Sequence, residues 1–84
     1  MTELERILAK TLMDLIVSID LAEDDDIDPD VATALLEPIA AHLNTTSASN
    51  RQALSTLLLD IAQQETDPGW QPTALDLPAA LGLV

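Results

Sequence analysis

The densest run of reactive side chains in the sequence is Glu23-Asp24-Asp25-Asp26-Ile27-Asp28-Pro29-Asp30, with six carboxylates in eight residues. Carboxylates at such spacing suit two kinds of chemistry, cation coordination and electrostatic attraction of a basic surface. For calcium, Asp26, Asp28, Asp30 and Glu37 fall on positions 1, 3, 5 and 12 of an EF-hand loop. Position 6 of that loop needs glycine for its sharp turn, and Val31 stands there. The same carboxylates also suit the start of a helix, so no metal site is expected. Nucleophilic chemistry lacks parts. There is no cysteine, His42 is the single histidine, and Ser18, Ser47, Ser49 and Ser55 sit in nothing like a nucleophile elbow. A carrier protein would need an Asp-Ser-Leu motif opening its second helix for a phosphopantetheine arm, and here that helix opens Asp28-Pro29-Asp30-Val31. The chain is therefore expected to be neither an enzyme nor the holder of a cofactor.

What remains is recognition. Fifteen Asp and Glu against three Lys and Arg leave a formal net charge of -12. Direct nucleic-acid binding is disfavoured, because neutralisation of phosphates by Lys and Arg supplies most of that affinity. Anionic membrane surfaces are disfavoured for the same reason. A basic protein partner is favoured, steered by Glu23, Asp24, Asp25, Asp26, Asp28 and Asp30. Trp70, the single aromatic residue, is a further candidate contact, although a lone tryptophan more often anchors a loop to its own core.

These residues need elements to position them. Eighty-four residues with 48% apolar content suit one globular domain spanning residues 1–84. Thr2 with Glu5 forms a capping box that starts a first helix over residues 3 to about 22. In it Leu4, Ile7, Leu8, Leu12, Leu15, Ile16 and Ile19 make an apolar stripe, and Met13, Val17 and Leu21 widen it. So broad an apolar surface must be covered from two sides, by other helices of the chain or by another subunit. The acidic run reads as a loop. Asp28, Pro29 and Asp30 then suit a helix start, with Val31, Ala32, Leu35, Leu36, Ile39, Ala40 and Leu43 on the buried face and a kink or break before Pro38. Ser47 or Ser49 caps a third helix to about Glu65, whose narrower stripe of Leu54, Leu57, Leu58, Ile61 and Ala62 predicts a peripheral position. Residues 66–72 read as a turn, and residues 75–81 as a short helix closed by Gly82, with Leu83 making the apolar contact of such an ending. The expected fold is all-α, a compact bundle of three main antiparallel helices plus a short C-terminal fourth. The acidic opening residues are unlike a signal peptide, and no apolar run reaches the ~18 residues of a membrane span, so a cytoplasmic address is expected.

Laid out in this way, the chain resembles small acidic bacterial immunity proteins, which neutralise a toxin. The resemblance is carried by size, helical make-up, the acidic turn into Asp28-Pro29-Asp30-Val31-Ala32 with Leu35-Leu36-Glu37, and the ending Leu77-Pro78-Ala79-Ala80-Leu81-Gly82-Leu83. In size and charge it is similar to the colicin DNase immunity proteins. It has no tyrosine, and so lacks their tyrosine-bearing motif; no site residue is carried over from them. The resemblance implies a bacterial, non-enzymatic inhibitor that binds a basic toxin domain, such as a nuclease, and blocks its active cleft or an adjoining exosite. Two other readings fit the same composition: a structural or adaptor protein, homodimeric through the wide first helix, and a phage-encoded acidic inhibitor of a nucleic-acid enzyme.

Overall fold

Thr2 opens the first helix as its N-cap: Glu5 N donates to Thr2 Oγ1 (3.1 Å), and Thr2 N (3.3 Å) and Thr2 Oγ1 (2.9 Å) donate to Glu5 Oε1. These bonds from Thr2 hold the Glu5 carboxyl below its ordinary pKa, because they favour the charged form. The computed structural model describes residues 2–23 and 25–84. It is all-helical, in the order α1 (Glu3–Asp20), α2 (Pro29–Leu43), α3 (Ala48–Gln63) and α4 (Gln71–Ala80), with no strand among the described residues. The body measures 37 × 30 × 21 Å. No helix among the described residues is long and apolar enough to cross a membrane.

The core is drawn from three of the four helices. Ala9, Met13, Ile16 and Val17 of α1, Leu57, Leu58, Ile61 and Ala62 of α3, and Ala74 and Leu77 of α4 with Leu81 and Leu83 beyond it form one buried cluster. α3 packs on both α4 and α1. α2 buries no residue fully, and lays only the half-buried Leu36, Ile39, Ala40 and Leu43 against this cluster. The peripheral position expected of α3 from its narrow stripe is not the one it takes. α3 is central, and α2 is the peripheral helix. Val31 and Leu35, expected on the buried face of α2, are exposed.

α1 departs from expectation in a second way. Of its apolar stripe, Leu4, Ile7, Leu8 and Leu15 face outward, Leu12 is half-buried, and the residues expected only to widen the stripe, Met13 and Val17, lie in the core. The chain buries the side of α1 that carries Ala9, Met13, Ile16 and Val17, onto which α3 and α4 pack.

Local chemistry sets the remaining ends. Asp28 caps α2 by accepting from Asp30 N (2.8 Å), with Pro29 following as the first helical residue. α2 runs on without a break past Pro38, whose ring nitrogen has no hydrogen to give to Ala34. Ser47, not Ser49, caps α3, accepting from Asn50 N (3.1 Å). α4 begins four residues earlier than expected, since Pro72 falls in its first turn, where the missing donor costs nothing. Its end is the expected one. Gly82 has φ +70°, Leu83 N donates to Pro78 O (2.9 Å) and Gly82 N to Ala79 O (3.0 Å), and Leu83 is buried. This is the Schellman pattern with its apolar contact.

Candidate acidic binding surface

Short-range hydrogen bonds and one half-buried side chain shape the connection from α1 to α2. Asp26 N and Ile27 N both donate to Glu23 O (2.9 Å each), closing a turn. Ile27 is half-buried in a crevice lined by Ile19, Ala22, Pro29, Ala32 and Leu36. Asp28 is fixed as the cap of α2. Glu23, Asp25, Asp26, Asp28 and Asp30 are thereby exposed on one short anchored segment. Asp24, named with them from the sequence, lies outside the described residues.

The cations are elsewhere. Arg6 pairs with Asp60 (2.8 Å) and donates to Gln64 Oε1 (2.9 Å), joining α1 to α3. Lys10 pairs with Asp14 one turn along α1. Arg51 donates to Thr46 O (2.7 Å) and closes the turn between α2 and α3. Among the described residues no carboxylate of the 23–30 segment has a salt bridge. The segment projects an uncompensated negative field, the condition for long-range steering of a positive surface.

Three more carboxylates continue this surface in a way sequence reasoning missed. Asp20, Glu37 and Asp76, from α1, α2 and α4, stand on a groove of about 310 Å³ whose floor is Ile16, Leu36, Ala40, Leu77 and Leu81. All three carboxylates are exposed. Their separation along the chain left no local signal, because only the packing of α4 beside α1 and α2 brings them together. An apolar floor with an acidic margin is shaped to take an apolar side chain carried on a basic segment.

The other candidates from the sequence fall apart in space or into structural roles. Trp70 is half-buried against the core at the start of α4. Val31 is helical, and the Asp28 carboxylate is committed to the cap of α2; among the described residues no three His, Asp or Glu side chains gather as a metal site. His42 is exposed in the last turn of α2. No protein-family model, curated protein or solved structure matches this chain.

Proposed function

We propose that this protein is a binding protein without catalytic activity, which captures a basic protein domain and neutralises it by covering its active cleft or an adjoining exosite, in the manner of a bacterial immunity protein. The observation that carries this reading is the separation of charge. The 23–30 segment and the Asp20, Glu37 and Asp76 margin present exposed carboxylates, while Arg6, Lys10 and Arg51 are each engaged away from them. A cleft that binds polyanions is basic, and an acidic surface competes for it by the same electrostatics.

The test uses the full chain as bait against lysate of its source, with capture eluted in a salt gradient, followed by association kinetics with the captured domain. Reversing Asp24, Asp25 and Asp26 to lysine is expected to slow association roughly tenfold or more at low salt while the circular dichroism spectrum stays unchanged, since Asp25 and Asp26 are exposed and lie outside the helices. Association of the folded triple variant at the wild-type rate and affinity would remove the acidic segment from recognition. Wild-type binding that does not weaken as salt rises would remove the electrostatic reading altogether.

A further inference from the structure

We infer that α1 also pairs with α1 of a second copy of this chain, through the outward face carrying Leu4, Leu8, Thr11 and Leu15. This inference stands independently of the acidic surface. The three leucines are 64%, 58% and 55% exposed, and Ile7 beside them is 53% exposed. Scattered surface leucines need no explanation, but a line of them along one helix marks a contact surface. The spacing of 4, 8, 11 and 15 alternates four and three residues, which is the seam of a two-helix coiled coil.

The uncharged, symmetric make-up of the seam identifies the occupant. In a chain of net charge -12, this seam has no carboxylate: it continues from Leu4, Leu8, Thr11 and Leu15 to Ser18. Within the seam itself a basic partner finds no carboxylate to pair with and a second copy meets none, Glu5 and Asp14 standing to either side of it. Asp14, at the side of the seam, is already neutralised by Lys10. The polar groups of the seam are also prepared for a dry contact. Thr11 Oγ1 donates to Ile7 O (2.8 Å) and Ser18 Oγ to Asp14 O (2.6 Å), so neither hydroxyl hydrogen is orphaned when water leaves.

The seam is self-complementary. Leu4 and Leu15 lie equally far from its midpoint, as do Leu8 and Thr11, so an antiparallel pair sets Leu4 against Leu15 and Leu8 against Thr11 twice over, as a two-fold interface requires. On one side of the seam lies a groove lined by Leu12, Leu43, Leu54 and Leu57 together with the polar Glu5, Thr46 and Asn50, into which the ridge of the second helix can settle.

The test is the mass in solution by sedimentation equilibrium, over a range of protein concentration and salt. Twice the mass of one chain is expected. Dimerisation should strengthen as salt rises from about 0.1 M to about 1 M, because the screening length between two like-charged bodies falls from about 10 to about 3 Å. Leu8→Glu and Thr11→Lys should each be monomeric and folded, since both side chains are exposed. Mixed together, they should recover a dimer, because each new glutamate then faces a new lysine. A wild-type chain that stays monomeric throughout overturns the inference, and so does a dimer that Leu8→Glu leaves intact. Two folded monomeric variants that fail to recover a dimer on mixing overturn the antiparallel register.

Discussion

α2 and α3 run 15 and 16 residues, and each is opened by a side chain that caps it. α2 carries the wider apolar surface, yet buries no residue fully, while the more polar α3 places Leu57, Leu58, Ile61 and Ala62 in the core. The difference lies in their neighbours. α3 has α4 along one side and α1 along another, so even a narrow stripe is sealed, whereas α2 rests on the body by one edge. Burial follows the number of flanking elements more than the hydrophobic content of the helix itself.

Truncating a leucine in each helix tests that comparison most severely. Leu58 is fully buried, so Leu58→Ala should cost about 2–5 kcal/mol. That is a large share of the roughly 4–13 kcal/mol expected for a domain of this size. Leu35→Ala, at an exposed position of α2, should cost less than about 1 kcal/mol. Urea unfolding of the two variants measures both, and equal losses would erase the distinction between a core helix and a peripheral one.

Pro38 sharpens it from the other direction. An interior proline disfavours a helix by about 3 kcal/mol relative to alanine, and Pro38 is exposed, so little packing is lost on replacing it. Pro38→Ala should therefore raise stability by about 1–3 kcal/mol. A fall in the unfolding midpoint would mean that the proline shapes α2 for its contacts with Leu36 and Ile39 at its sides.

The caps give the smallest effect. Ser47→Ala should lower global stability by about 1 kcal/mol, since α3 opens only when the whole core does. Asp28→Ala should instead act locally, accelerating amide exchange in α2 roughly fivefold while exchange in α3 stays unchanged. Parallel acceleration in both helices would show that α2 opens together with the core.

Much of the local structure was legible in the residues. Thr2 with Glu5, Asp28 with Pro29, Ser47 as one of two candidate caps, and Gly82 with Leu83 each mark an end through short-range bonds that neighbouring residues complete by themselves. The acidic segment was equally plain, because its density is a property of contiguous sequence. What escaped were the quantities fixed by packing. Periodicity shows that α1 has apolar residues on two sides, but the choice of Met13 and Val17 over Leu4 and Leu8 for the interior depends on which surface α3 and α4 reach. Pro72 read as a breaker because its place in the first turn of a helix appears only once Gln71 is known to begin one. Asp20, Glu37 and Asp76 share a margin for the same reason, since no spacing rule relates three separate helices.

The place of α4 in the core also sets an order in time. Leu57, Leu58 and Ile61 are synthesised before Leu77, Leu81 and Leu83, with which they form one buried cluster. At about 5–20 residues per second, the roughly twenty residues that follow Ile61 take about one to four seconds to be added. The interior can close only when the residues around Leu81 have left the ribosome and are free to turn back upon α3.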